Sequence, residues 1–208
     1  MTEPGFAILA VCTGNICRSP LAQQLLGLEF EQLPARIAVA SAGTSALVGR
    51  AMTPPARAIS RELGGKNAAN HVARQLTVEQ IRRAYLVLAL SREHRRIVVG
   101  LEPRAARYTF TIRELAHILE SMSAADVAAI SLLDAVAGHA RLTGLVAAAA
   151  SLRGHFSRSD TAKYDVVDPY RGSDDTYRLS AKQVLPAAIT VGRHLRATVG
   201  NASGTQSP

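Results

Sequence analysis

The sequence predicts an α/β fold of the three-layer αβα type, with a four-stranded parallel sheet between helices and extra helices added late in the chain. Three observations carry that expectation. Short apolar runs recur, stretches with helical spacing fall between them, and the first run ends in a Thr-Gly turn that opens straight into a helix.

"FAILAV" (6–11) is a continuous apolar run of strand length, as expected of a strand buried on both faces. "CRSPLAQQLLGLEFEQL" (17–33) follows, with Pro20 near a helix start and leucines at helical spacing. "RIAVASAG" (36–43) reads as the second strand, and "PPARAISRELGG" (54–65) as a helix stopped by two glycines. "AYLVLAL" (84–90) and the weaker "RYTFTI" (107–112) supply the third and fourth strands. Alternation of this kind implies right-handed βαβ units with helices on both faces of the sheet. From Glu114 to about Ser157 the chain is alanine-rich, and two more helices split near Gly138 are expected. "SRSDTAKYD" reads as a polar loop, and a last helix runs from Asp174 to Ala197, kinked or restarted at Pro186.

A chain of 208 residues suits one domain, expected over 1–198 with a helical insertion at about 115–164 and a disordered tail at 199–208. Hydrophobic residues make up 48% and charged residues 19%, which excludes wholesale disorder. No apolar stretch is long and unbroken enough to cross a bilayer, and the start, with Glu3, lacks a basic leader and a cleavage site. A cytoplasmic protein with no membrane insertion is expected. The charge of +8 comes from basic residues spread along the chain, with aromatics at only 4%, so no nucleic-acid partner is expected. Two cysteines make neither a disulfide framework nor a zinc site, and no metal is expected.

Both cysteines fall in one window, "VCTGNICRSP" (11–20). In parallel sheets ligands bind beyond the carboxyl ends of the strands, and this window lies at such an end. Backbone N–H groups of Thr13, Gly14, Asn15, Ile16, Cys17 and Arg18 can converge there on an anion, because the first N–H groups of a helix have no partner within it. Arg18 adds a planar fork for two phosphoryl oxygens. A helix N-terminus beside an arginine also favours a thiolate, which makes Cys12 a candidate nucleophile under a bound phosphate. Gly14 permits close approach, Asn15 tolerates left-handed backbone, Ser19 can donate to the sulfur, and Cys17 is near enough to trap an oxidised Cys12 as a disulfide.

The window resembles the phosphate-binding loop of the low-molecular-weight protein tyrosine phosphatases. The resemblance covers roughly 6–114 and 165–196, with 115–164 unmatched and longer than the usual spacer. It implies a metal-independent phosphatase without cofactor that hydrolyses phosphotyrosine through a cysteinyl-phosphate. It also implies a general acid placed immediately before a proline near the C-terminus. "DVVDPYRGSDDTY" (165–177) makes Asp168 that acid, with Asp165 as the rival carboxylate. "SAGT" (41–44) and "NHVARQL" (70–76) resemble the segments that brace the loop asparagine, which gives Ser41 and His71 supporting roles around Asn15. "ALVGR" and "DPYR" are closer to the bacterial branch associated with exopolysaccharide tyrosine kinases, with Leu47 and Tyr170 as pocket walls. Phosphotyrosine proteins, and a bacterial tyrosine kinase among them, are then the expected partners. "RAMTPP" and "YLVLAL" depart from the family pattern, the second by lacking an aspartate.

Two alternatives share the loop. A thiol-linked arsenate reductase would need relay cysteines downstream, and none follows Cys17. A non-catalytic phosphate-binding regulatory module would be expected to lose Cys12, Arg18 or Asp168, and all three are present.

Overall fold

The computed structural model describes residues 5–31, 33, 37–123, 125, 126, 130, 138–155 and 162–200. Four parallel strands, β1 (Phe6–Cys12), β2 (Ile37–Gly43), β3 (Leu86–Ala89) and β4 (Thr109–Thr111), lie in the order β2-β1-β3-β4. The register pairs Cys12 with Gly43 and Val11 with Ala89, so the ends of β1, β2 and β3 lie close together. Strand order reverses between β1 and β3, and a crevice at the carboxyl ends is expected there.

Seven helices are described: α1 (Arg18–Phe30), α2 (Pro54–Glu62), α3 (Val78–Arg83), α4 (Arg92–Leu101), α5 (Ile112–Ser121), α6 (Gly138–Leu152) and α7 (Asp174–Gly200). The pleat decides which residues face them. Phe6, Ile8, Ala10 and Cys12 belong to the larger apolar layer, with residues of α1, α5, α6 and α7. Leu9 and Val11 point the other way, into a smaller layer with Ile81, Val98 and Ala105. Cys12 therefore ends its strand on the face that α1 covers, the helix that carries Arg18.

Helices lie on both faces of the parallel sheet, as the sequence predicts. Helices α3 and α4 are additional to that expectation. Each has a cap: Thr77 and Gln80 form a reciprocal capping box on α3, and Ser91 accepts the His94 N–H at the start of α4. The last helix is not restarted at Pro186 but passes through it. The break that proline favours is offset by Val184, Ala187, Ala188 and Val191, all buried on either side. It also continues past Ala197 to Gly200, with Val199 buried, so residues 199 and 200 belong to the helix and not to the expected tail; residues 201–208 lie outside the described residues.

Within 115–164, α5 starts from a Thr111–Glu114 capping box directly after β4, and α6 occupies Gly138–Leu152; the residues just before Gly138, where the split between two helices is expected, lie outside the described residues. The rest of the expected first insertion helix lies largely, and residues 157–161 of the polar loop wholly, outside the described residues. Arg153, just after α6, fastens the segment to the sheet. It stacks 4.1 Å over the Phe110 ring, donates to the carbonyls of Ala106 and Thr109 at 3.0 and 2.7 Å, and pairs with Glu114 at 3.1 Å. Among the described residues no helix is long and apolar enough to cross a membrane.

Candidate active site

The loop from Cys12 to Cys17 is held from behind by its carbonyls. Thr44 N–H donates to Cys12 O, Ser45 to Thr13 O, Leu47 to Gly14 O and Thr53 to Ile16 O, at 2.9 to 3.1 Å. His71 Nε2 donates to Asn15 O at 2.7 Å, and Leu21 N–H donates to Cys17 O at 3.2 Å. With the carbonyls turned outward, the N–H groups are left for the interior of the loop. None from Thr13 to Ser19 donates to a protein acceptor among the described residues, and α1 has no side-chain N-cap. That is an anion cradle built of backbone.

Asn15 makes the curvature possible. Its φ of 55° is left-handed, a region asparagine adopts readily. Its side chain is fully buried and fixed on three sides. Oδ1 accepts from Arg74 N–H at 2.9 Å, which orients the amide, and Nδ2 then donates to Ser41 Oγ and Ser19 Oγ, each at 2.9 Å. Ser41 passes its own proton to Gln23 Oε1 at 2.6 Å. Ser19 Oγ, already an acceptor from Asn15, has one hydrogen and two acceptors for it, Cys12 Sγ at 3.0 Å and the Ala42 carbonyl at 3.4 Å, and the sulfur is the nearer. Burial lowers the pKa of His71 against the opposing pull of its bond to Asn15, so the ring is neutral and donates from Nε2. Gly43 completes the support, since a Cβ there would come within 2.4 Å of Thr13 O.

Arg18 is buried beside this loop. It donates to Asp168 Oδ2 at 2.6 Å, to Val166 O at 3.3 Å and to Thr13 Oγ1 at 3.5 Å. Asp168 thus faces Cys12 across the arginine, and its other oxygen accepts the Tyr170 N–H at 3.1 Å. The loop carrying Asp168 is tied down at Val166, which donates to Leu90 O, and at Val167, which donates to Gln183 Oε1. Asp165 points elsewhere, into the Arg92 side chain and the Arg92 backbone N–H, which it accepts at 2.7 Å. Partial burial pushes the Asp165 carboxyl up, but its hydrogen bonds from Arg92 outweigh this and hold it below the ordinary range.

Cys12, Thr13, Gly14, Ile16, Cys17, Arg18, Leu47, Asp168 and Tyr170 line one cavity of about 140 Å³, together with Ser45. All these residues except Ser45 were expected from the sequence. Asn15, Ser19, Ser41 and His71 stand behind the wall rather than in it. Two larger hollows, of about 360 and 420 Å³, contain no cysteine. Among the described residues no group of three or more His, Cys, Asp or Glu side chains is arranged to hold a metal ion.

Several neighbours escape sequence reasoning. His94 is buried, with Nε2 2.9 Å from Thr13 Oγ1 and Nδ1 2.8 Å from Ser91 Oγ. Burial first, then the Arg18 charge, lowers its pKa to about 4, so it stands neutral beside the arginine. Cys17 Sγ contacts Thr53 Oγ1 at 3.4 Å and Tyr177 OH at 3.7 Å. Burial raises the Cys17 thiol above its ordinary value in spite of those two bonds. Only the Ser91 to His94 capping spacing had any sequence signal.

A sequence model described as low molecular weight phosphotyrosine protein phosphatase matches residues 7–134, which carries the match beyond residue 114. The chain is 40% identical over 109 residues to a protein-arginine-phosphatase of Geobacillus stearothermophilus, covering 52% of this chain and 70% of that one. It is 39% identical over 97 residues to the probable low molecular weight protein-tyrosine-phosphatase AmsI of Erwinia amylovora, covering 47% and 64%. Among solved structures, the YwlE arginine phosphatase from Geobacillus stearothermophilus superposes with a TM-score of 0.65 at 25% identity, covering 98% of this chain and 99% of that one. A thiol in a backbone cradle, an arginine over it and a matching profile across more than half the sequence have one common reading: the chain belongs to the low molecular weight phosphotyrosine protein phosphatase family.

Proposed function

We propose that Cys12 attacks the phosphorus of a phosphotyrosine side chain, with Arg18 and the N–H groups of Thr13 to Ser19 holding the phosphoryl oxygens. Asp168 donates a proton to the departing phenolate and then takes one from the water that hydrolyses the cysteinyl-phosphate. The observation that carries this reading is the loop whose carbonyls are all bonded outward, leaving its amides around Cys12. Such preorganised donors act where charge develops on the equatorial oxygens. Asp168 holds the guanidinium at 2.6 Å; a phosphate dianion takes that guanidinium and releases the carboxyl toward the leaving group.

Substrate class is supported by the walls. Ile16, Leu47 and Tyr170 present apolar surface around a cavity close to the roughly 150 Å³ that takes one benzene ring. Two of the relatives act, by name, on phosphoarginine. A guanidino leaving group would call for a carboxylate to hold it besides the proton donor, and Asp168, the donor, is the one carboxylate among the described residues lining this cavity. The substrates are therefore phosphotyrosine proteins, dephosphorylated in the cytoplasm opposite a bacterial tyrosine kinase. Cys17, buried with its thiol protonated, serves as the trap that forms a disulfide with an oxidised Cys12.

The test is a panel of matched phosphotyrosine, phosphoserine and phosphoarginine peptides, run with and without chelator beside Cys12→Ser. Phosphotyrosine turnover that resists chelator and disappears in Cys12→Ser is the expected result. Preference for phosphoarginine would reassign the substrate, and turnover retained in Cys12→Ser would remove the nucleophile. Recovery from peroxide that is equally complete in Cys17→Ser would take the trapping role from Cys17.

A further inference from the structure

Two arginines that this chemistry does not use lie close in the chain to residues lining the cavity, Arg171 directly after Tyr170 and Arg50 three positions after Leu47. The Arg171 backbone sits at φ 61°, in the left-handed region. Among the described residues the one other non-glycine residue with positive φ is Asn15. An arginine adopts this region only where its surroundings hold it there. The neighbouring glycine does not absorb the turn. Gly172 donates to Pro169 O at 2.8 Å, and a Cβ at 172 would meet Pro169 O and Thr176 Cβ at 3.1 Å, so that glycine answers close packing. A glycine at 171 would make the left-handed step without strain, yet the chain places a long cation there. Strain held at the rim of a site is an observation that points to a use for the side chain.

The Arg171 guanidinium is exposed and lies 5.3 Å from the centroid of the Tyr170 ring. Stacking of this kind orients an arginine in a way a lysine would not reproduce. No carboxylate among the described residues pairs with it, and Asp174 and Asp175 at the start of α7 are exposed without an ion pair to it. An arginine also follows the Leu47 wall. Arg50 closes the turn that presents Leu47 and Val48, donating its N–H to Leu47 O at 3.0 Å, and its exposed side chain likewise has no carboxylate partner among the described residues. Leu47 and Val48 are 40% and 67% exposed, so the apolar surface continues outward beyond Leu47.

We infer that Arg171 and Arg50 select protein substrates with Asp or Glu next to the phosphorylated residue. The inference rests on the proposed cysteine phosphatase reading and extends it from the phosphorylated side chain to its neighbours. A substrate chain advances about 3.3 to 3.6 Å per residue when extended, so once its phosphoryl group is in the cradle the adjoining side chains reach the rim. Carboxylates there meet guanidinium groups that have no internal partner to exchange.

The test uses the full chain and two peptide series, phosphotyrosine and phosphoarginine, each with Glu, Ala or Lys beside the phosphorylated residue. The readout is the ratio of kcat/KM for Glu-flanked over Lys-flanked peptide in wild type, Arg171→Asn, Arg171→Glu and Arg50→Gln. Wild type is expected to favour the acidic flank, with about two- to fivefold from each arginine, the range of a solvent-exposed ion pair. Arg171→Asn should lose its share while melting no lower than wild type, because asparagine suits that φ. Arg171→Glu should drive the ratio below that of Arg171→Asn, and high salt should shrink the wild-type ratio. A wild-type ratio near one, or a ratio that Arg171→Asn and Arg171→Glu leave unchanged, overturns the inference. Turnover confined to the phosphoarginine series overturns the tyrosine reading while the flank ratio still decides on Arg171; absence of turnover in both series overturns both.

Discussion

Asp165 and Asp168 carry the same functional group on the same loop, and their surroundings divide them. Asp165 accepts from the Arg92 backbone and side chain, while Arg113 donates to its carbonyl at 2.9 Å, so its job is to hold the loop against α4 and α5. Asp168 lines the cavity, half-exposed, with one oxygen on Arg18 and the other on a backbone N–H. Removing the proton-carrying group should therefore matter most at 168. Asp168→Asn is expected to lower kcat by about 10²- to 10⁴-fold, the scale of a general acid. Asp165→Asn should cost activity less and loosen the loop instead. Steady-state kinetics on an aryl phosphate checks both, and a larger kcat loss in Asp165→Asn would exchange the two assignments.

At the scale of elements, the strand end, loop and helix start that make the cradle are contiguous, and this is why the site was legible from ten residues. The backing of the loop was not. Thr44, Ser45, Leu47 and Thr53 all donate to it from segments whose composition says nothing of that duty. Ser41, His71 and Asp168 were found through resemblance, because a lone serine, histidine or Asp-Pro has no periodicity to mark it. His94 on Thr13 and Tyr177 on Cys17 join residues far apart in sequence, and no local signal encodes such a pairing. The charged stretch "REHRRIVVGL" hid α4, whose short apolar face is buried chiefly through His94 and Val98. Two predictions belong here. Gly43→Ala forces a Cβ onto Thr13 O, and should cost about 1 to 3 kcal/mol while displacing the cradle, so thermal melting and kcat/KM fall together. Arg153→Ala removes the fastening of the late segment to β4 and leaves Glu114 without its cation, for about 2 to 3 kcal/mol in urea unfolding, somewhat below a fully buried pair. Because Arg153 lies outside the cavity lining, turnover of a small aryl phosphate should persist in that variant below its melting temperature.

For the whole molecule, the buried histidines tie stability to pH. His94 ionises at about 4 in the folded chain against about 6.5 when unfolded, because burial and the Arg18 charge oppose its protonation, partly countered by Asp168 and Asp165. Between those values the unfolded state binds more protons than the folded one, so stability rises with pH through that window. The contribution is fully present above pH 6.5 and is lost as pH falls toward 4, on the order of 3 kcal/mol from His94 alone. His71 and His194 have pKa values lowered by burial and act in the same direction. Self-repulsion of a chain that is already at +8 with neutral histidines adds to acid destabilisation, so wild type by itself does not isolate the effect. His94→Gln does, because glutamine keeps hydrogen-bonding capacity toward Thr13 and Ser91 but does not titrate. Urea unfolding at pH 7, 5.5 and 4 should show a shallower loss of stability in His94→Gln than in wild type, with the two curves converging toward the acid end. Parallel curves across the window would mean that the acid sensitivity of the fold lies elsewhere than under Thr13.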